Sequence, residues 1–517
     1  MSNHLFDALL GDCDPGRELA FMPGSAWKTK DRWYSYANAL DVSARFAAML
    51  VEQGVKPGDR VAVQVEKSIE VVMLYLGTVR AGGVFLPLNT AYTAAETEYF
   101  ITDASPTLFV CAPEREVEMR PIAEKAGAKL LTMGVWAAEH DGRDHEAGSL
   151  FAASSPSGTP FDNVPRGPDD LAAILYTSGT TGRSKGAMLS HANLVSNAQV
   201  LAELWQFTAD DRLLHALPIF HTHGLFVATN ITLAAGGSMV FLPAFSPDEV
   251  LEALPKATSM MGVPTFYTRL LADERFTKEA AAHMRLFVSG SAPMLVETHK
   301  RFEAVTGKRV LERYGMTETN MNTSNPFDGE RRIGTVGPAL PGTDVRIVHA
   351  DHATPVATDE IGSIEVRGPN VFSGYWNMPE KTAEEFRDDG FFITGDLGTM
   401  DDDGYVTIVG RSKDLVISGG YNIYPKEVEA VLDDEPGVLE SAVFGVPHPD
   451  FGEGLLATVV LSDAKVMADA LLAAMADKLA RFKQPKAIFI VHKLPRNAMG
   501  KVQKSVLRET HQRHFTG

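Results

Sequence analysis

The 517-residue chain has only two cysteines, Cys13 and Cys111, set far apart. Two isolated thiols supply neither a disulfide framework nor a cysteine-based zinc site, and a reducing compartment is expected. No apolar run approaches the ~18 residues that a membrane span needs. The first residues, Met1-Ser-Asn-His-Leu-Phe-Asp7, lack the basic start and continuous apolar centre of a secretion signal, so a cytoplasmic location is expected. Positive charge is also short. The 48 Lys and Arg against 66 Asp and Glu leave a formal charge of −18, which argues against nucleic acid or an anionic membrane as partner. Repeats and low-complexity tracts are absent. What is present is the composition of an ordinary soluble enzyme, 45% hydrophobic and 22% charged, at a length that calls for at least two domains.

From Tyr34 to about Val110, helix-like stretches such as Ala37 to Gln53 alternate with short apolar runs such as Arg60 to Val65, the pattern of βα units. Residues Glu139 to Asp169 are rich in Gly, Ser, Pro and Asp and read as a surface excursion. Alternation resumes from Asn193 to Gly307, and Val345 to Gly374 looks strand-rich and antiparallel. A change of character after Gly410 places a domain boundary near Ser412. Beyond it come an acidic helix from Pro425 to Leu432, a strand from Glu440 to Val446, a long helix from Val466 to Leu479 and a basic tail from Arg481.

The densest chemistry lies in Tyr176-Thr-Ser-Gly-Thr-Thr-Gly-Arg-Ser-Lys-Gly186. Gly179 and Gly182 let the backbone turn its N–H groups inward, while Thr177, Ser178, Thr180, Thr181 and Lys185 can hydrogen-bond phosphate oxygens. The apolar run Ala172 to Tyr176 predicts a strand from which this loop hangs. The order is not that of a Walker loop, so a polyphosphate would be held differently from a P-loop. Gly182-Arg-Ser-Lys-Gly186 also satisfies G-x-S-x-G, which keeps a serine hydrolase using Ser184 as the rival of a different class.

Further along, Glu312-Arg-Tyr-Gly-Met-Thr-Glu-Thr319 groups an aromatic, a hydroxyl and a carboxylate around a glycine; the aromatic could stack on a base and Glu318 could hold Mg²⁺ beside a triphosphate. Thr394-Gly-Asp396 offers a carboxylate suited to ribose hydroxyls, with an Asx turn as the plain alternative. Gly410-Arg411 and Lys413-Asp414 put cations at the linker. Pro495 to Lys501 reads as a shaped loop presenting Lys501. His221 and His223, at i and i+2 in Phe220-His-Thr-His-Gly224, would share one face of a strand; a pocket wall or a substrate donor is favoured over a metal site because no further Cys or His cluster supports one.

These motifs, in this order and spacing, resemble the acyl-adenylate-forming superfamily of acyl-CoA synthetases, nonribosomal peptide adenylation domains and luciferases. The resemblance covers nearly the whole chain. It implies an α/β fold: a large N-terminal domain of mixed and parallel sheets layered with helices, residues 1–411, and a small mobile α+β C-terminal domain, residues 412–517. It also implies ATP, Mg²⁺ and coenzyme A. Tyr314, Gly315 and Met316 would lie by the adenine, Thr317 and Glu318 by phosphate and Mg²⁺, and Asp396 and Arg411 by the ribose. Lys501 would bridge the carboxylate and α-phosphate, Lys413 would be the pivot, and Ser418-Gly419-Gly420 would line the coenzyme A channel.

The runs Arg313 to Asn325, Phe220 to Leu225 and Met284 to Pro293 are similar to those of malonyl-CoA synthetases, which implies malonate, with methylmalonate possible, as the acid. Another short-chain or aromatic acid remains the alternative. A chain ending soon after Lys501 is expected to use free coenzyme A rather than a carrier protein. A dicarboxylate brings a second anion that an apolar pocket must pair with a cation. Arg285, aided by His221, His223 and Ser289, is the expected anchor, with Arg269 in reserve, and Met316 is expected beside the α-carbon.

Overall fold

A computed structural model describes residues 2–134, 148–177, 184–418, 421–463, 465–476, 478–497 and 500–516. Two large sheets stand side by side in the N-terminal part. The eight-stranded sheet runs in the order Asn320–Ser324, Leu311–Met316, Leu286–Ser289, Ser259–Gly262, Arg212–His215, Ser238–Phe241, Glu18–Met22 and Arg32–Ser35. It is parallel in its middle, with an antiparallel pair at each edge. The six-stranded sheet runs Lys129–Thr132, Leu108–Cys111, Arg60–Gln64, Val84–Pro87, Leu171–Thr177 and Lys185–Ser190, parallel except for its last pair.

Strands buried on both faces read as continuous apolar runs, and neighbouring residues accordingly enter different cores. Leu213 joins the core shared by the two sheets, whereas Leu214 joins the core beneath helices Pro247–Ala253, Pro264–Leu271 and Val296–Thr306. Between the sheets lie helices Tyr36–Glu52 and Ile69–Arg80; the second is buried at every residue, as an all-round apolar sequence requires. Helices Ala94–Ala104 and Glu116–Ala126 cover the outer face of the six-stranded sheet. Among the described residues, capping boxes start three helices: Ser35 with Asn38, Thr93 with Glu96, and Ser190 with Asn193. Each satisfies N–H groups that a helix start leaves open.

Asp344–Val348, Gly362–Arg367, Phe392–Met400 and Val406–Arg411 form an antiparallel sheet; the first two strands are those expected between Val345 and Gly374, and the last two extend the sheet beyond that stretch. A fourth sheet belongs to the smaller C-terminal domain: Tyr421–Ile423, Val416–Ser418, Gly452–Leu461 and Val438–His448 in order, with Ala487–Ile490 joined parallel to Gly452–Leu461. The segment from Arg481, expected as a tail, is folded, because Leu494 and Leu507 enter a core with Ala442, Phe444 and Leu456. The expected long helix is shorter, Ala468–Ala476. The excursion before the phosphate loop is pinned to the main core by buried Leu150 and Phe151 of helix Ser149–Ala153. Among the described residues no helix is long and apolar enough to cross a membrane.

Candidate active site

The strand predicted at Ala172 to Tyr176 is Leu171–Thr177, and it turns back antiparallel into Lys185–Ser190, with Thr177 opposite Lys185 and Tyr176 opposite Gly186. Ser178, Gly179, Thr180, Thr181 and Gly182 lie outside the described residues. Ser184 therefore leads into a returning strand, whereas a nucleophile elbow needs a strand running straight into a helix. This topology removes the hydrolase reading.

The stretch Ser373 to Trp376 lies along Lys185–Ser190 through Met188 N–H to Gly374, Ser373 N–H to Met188 and Trp376 N–H to Gly186. That pairing carries Tyr375 beside Lys185, whose Nζ stands 3.9 Å from the ring centroid. Lys185 pairs with Glu385 at 3.0 Å, just beyond helix Pro379–Glu384. The Tyr375 hydroxyl faces two carboxylates, Glu385 at 2.7 Å and Glu318 at 3.1 Å. Burial raises the pKa of Glu385, but the donors Tyr375, Lys185 and Lys381 outweigh it and the carboxyl sits below its ordinary value. Glu318 is the reverse case: burial dominates and its pKa is raised. A buried carboxylate with a hydroxyl but, among the described residues, no cation directly on it fits a metal ligand.

Glu318 and Thr317 lie in the turn after Leu311–Met316, whose antiparallel partner is Asn320–Ser324. A Cβ on Gly315 would lie 1.8 Å from the Asn320 carbonyl oxygen, so only glycine fits there. The preceding Tyr314 packs on the apolar cluster of Ile347, Ile364, Val366 and Val406 and donates its hydroxyl to Asp396 at 2.5 Å. Asp396 faces Arg411 across paired strands, with Nε to Oδ1 at 2.6 Å. Tyr314, Asp396 and Arg411 thus form one chain of contacts.

Lys413 sits in the turn Ser412–Asp414, its pKa lowered first by burial and then by Lys185. Ser418 ends a strand and is buried; Gly419 and Gly420 lie outside the described residues. Gly500 adopts φ +74°, and a Cβ there would lie 3.1 Å from Thr265 Oγ1, so this loop of the small domain rests on the first turn of helix Pro264–Leu271 of the large one. Lys501 follows, its N–H donated to Asn497 Oδ1 at 2.9 Å. Its side chain keeps solvent contact, yet partial desolvation and then Arg411 lower its pKa, against Asp396 and Asp414, which raise it.

The acyl side departs from expectation. Arg285 is already bound: Nε and Nη2 grip Asp211 at 2.5 and 2.7 Å, Nη1 donates to the Trp205 carbonyl at 3.0 Å, and Phe207 and Phe327 flank the guanidinium. It is a structural ion pair with three of its five N–H donors engaged, which makes it a poor match for the expected anchor. Arg269 is exposed and lies over Phe245. His221 and His223 are not on a strand: they turn the chain into a π-helical stretch, His223–Thr229, a form frequent at functional sites.

Beside those histidines the structure places Arg313, which had not been singled out. It is 3% exposed, its Nε and Nη2 have no hydrogen-bond partner, and no carboxylate pairs with it among the described residues. Burial pushes its pKa down to about 9, which leaves it a cation at neutral pH. Its guanidinium lies on Gly290, where a Cβ would stand 2.3 Å from Cζ. Burial and then the Arg313 charge lower His221 to about 4; His223 is lowered well below the ordinary value for the same reasons, so both are neutral at pH 7. His223 Nδ1 meets Ser291 Oγ at 3.2 Å, while His223 Nε2, Thr222 Oγ1 and Ser289 Oγ are buried without partners. Met316 is half-buried against the main core. The signal for Arg313 in the sequence was slight, a cation directly before Tyr314 and shortly after the apolar pair Val310-Leu311; its strand and its contact with Gly290 come from the fold.

Residues 16–376 match the family model of the AMP-binding enzyme, and residues 427–501 match the AMP-binding enzyme C-terminal domain. The chain belongs to the AMP-binding enzyme family. Among solved structures it is similar to ATP-bound MatB from Rhodopseudomonas palustris, with 55% identity over the full length of both chains and a TM-score of 0.95. The apo form of that protein, at the same identity and coverage, gives 0.83. The overall backbone arrangement is therefore nearer that of the ATP-bound form. The malonate–CoA ligase of Arabidopsis thaliana is 34% identical over 98% of this chain and 91% of its own length. The feruloyl-CoA synthase of an Amycolatopsis species is 37% identical over 92% and 93%.

Proposed function

We propose that the chain ligates malonate to coenzyme A with ATP, through malonyl-AMP, releasing AMP and pyrophosphate. The observation that carries the acid's identity is Arg313, a buried guanidinium with no counter-ion among the described residues, next to neutral His221 and His223 and the unpartnered Ser289 hydroxyl. An unpaired buried charge is costly, and a carboxylate ligand would relieve it. A monocarboxylic acid would not.

In the first half-reaction a malonate carboxylate oxygen attacks the α-phosphorus of ATP, the new P–O bond forms, and pyrophosphate leaves with the bridging electron pair. Lys501 would meet the charge gathering between carboxylate and α-phosphate, with Lys185 and the phosphate loop on the outer phosphates. Glu318 would hold Mg²⁺, which when bound lowers the charge of the triphosphate. Asp396 and Arg411 would take the ribose, and Tyr314, Gly315 and Met316 would border the base. In the second half-reaction the coenzyme A thiolate attacks the acyl carbonyl and AMP leaves. We place the domain boundary at 411/412 with Lys413 as the pivot, so that rotation removes Lys501 and brings Ser418-Gly419-Gly420 to the thiol channel. Met316 at the α-carbon side would discriminate methylmalonate by only about 1–3 kcal/mol, the value of a methylene in a pocket. Two isolated cysteines support a reducing, cytoplasmic location.

AMP formation with ATP, Mg²⁺ and coenzyme A across malonate, methylmalonate, succinate, acetate and benzoate tests the reading: malonate should lead, and turnover led by acetate or benzoate would reject it. Lys501→Ala should slow adenylation by about 10²–10³ while supplied malonyl-AMP still passes to the thioester.

A further inference from the structure

We propose that Glu385 acts as an internal stand-in for phosphate: it holds Lys185 while no nucleotide is bound and yields it to the triphosphate, so that it sets ATP affinity and the rate at which pyrophosphate departs. This rests on the reading that Lys185 meets the outer phosphates of ATP. Lys185 Nζ and Glu385 Oε1 are 3.0 Å apart, with side chains 17% and 20% exposed, so the pair is half-sheltered and the carboxylate cancels the charge the phosphate needs.

Three contacts make the contact releasable. Lys381 Nζ lies on the same Glu385 Oε1 at 3.0 Å, so the carboxylate keeps a cation when Lys185 leaves. The Tyr375 hydroxyl donates to the other oxygen, Oε2, at 2.7 Å. That hydroxyl has one hydrogen and two carboxylates in reach, and the longer contact, 3.1 Å, is to Glu318. When Glu318 turns to a metal ion, the hydrogen remains with Glu385. Binding of the metal–nucleotide thus exchanges both loose contacts, Lys185 with Glu385 and Tyr375 with Glu318, for better ones. Glu385 stays behind as a negative charge near the polyphosphate, favouring its departure.

The test is calorimetric binding of Mg–ATP and of pyrophosphate without acid or coenzyme A. Glu385→Gln, nearly isosteric, should tighten both by roughly two- to fivefold, the scale of a partly screened ion pair. Lys381→Met, which leaves Glu385 to Lys185 alone, should weaken both. In a Lys185→Ala background Glu385→Gln should change neither. Should Lys185→Ala itself leave binding unaltered, the phosphate role of Lys185 fails, whatever Glu385 does. Should Lys185→Ala weaken binding while Glu385→Gln weakens it too or leaves it unchanged, Glu385 positions the lysine and the proposal is overturned. A Glu385→Gln effect that persists without Lys185 overturns it as well.

Discussion

Arg285 and Arg313 flank the same part of the eight-stranded sheet, one just before the strand Leu286–Ser289 and the other inside its neighbour Leu311–Met316. Their residue type and neighbourhood are alike, but their bonding is opposite. Arg285 spends its donors on Asp211 and a carbonyl, and its stacking on two phenylalanines. Arg313 is more deeply buried, with two nitrogens that bond nothing and a glycine beneath its plane. A satisfied cation is part of the scaffold, whereas under the proposed function the unsatisfied one meets the second carboxylate of the substrate.

The comparison breaks most visibly if the two arginines are exchanged in role. Arg313→Met should cut kcat/KM for malonate by about 10²–10³, because a substrate carboxylate loses its buried partner, with a melting temperature equal to or above wild type. Gly290→Ala should act in the same direction and less, roughly tenfold in the KM for malonate: the added Cβ displaces the end of a flexible side chain, and Gly290 needs no left-handed backbone. Arg285→Ala should do the converse, costing about 1.5–3 kcal/mol of stability by taking charge-assisted hydrogen bonds from Asp211, while kcat/KM at 25 °C stays within about twofold. Denaturant unfolding and steady-state kinetics on the same preparations separate the three.

A smaller effect follows from the histidines. His221 is held at about 4 in the folded enzyme, so between its ordinary pKa of about 6.5 and pH 4 the unfolded chain binds a proton that the native state refuses. Stability should be full above pH 6.5 and fall with acidification, by at most about 1.4 kcal/mol per pH unit for that group. Arg313→Met, which removes the second cause of the depression, should shallow the slope, and Arg285→Ala should leave it unchanged.

The fold was largely readable because its signals are local. Alternation of apolar runs and helical stretches gave the layered sheets, and the motifs around Lys185, Glu318, Asp396, Arg411 and Lys501 announce themselves within a few residues. The acyl pocket was not readable in the same way. Whether Arg285 is free depends on Asp211, 74 residues earlier, and whether Arg313 is free depends on the absence of any such partner. Glu385 belongs to no motif; it is brought to Lys185 across 200 residues by the pairing of Ser373 to Trp376 with Lys185–Ser190. The histidine pair was misassigned to a strand because a two-residue period cannot reveal that Gly224 folds against the Pro218 carbonyl, where a Cβ would lie only 2.0 Å away.

The most direct test of the central claim compares malonate with malonamate, its monoamide, on wild type and Arg313→Met by the rate of AMP formation. If Arg313 holds the distal carboxylate, wild type should prefer malonate by about 10²–10³ in kcat/KM and the variant should prefer neither by more than about threefold, the gap being the coupling energy of one buried charge pair. An undiminished preference for malonate in the variant would contradict the account.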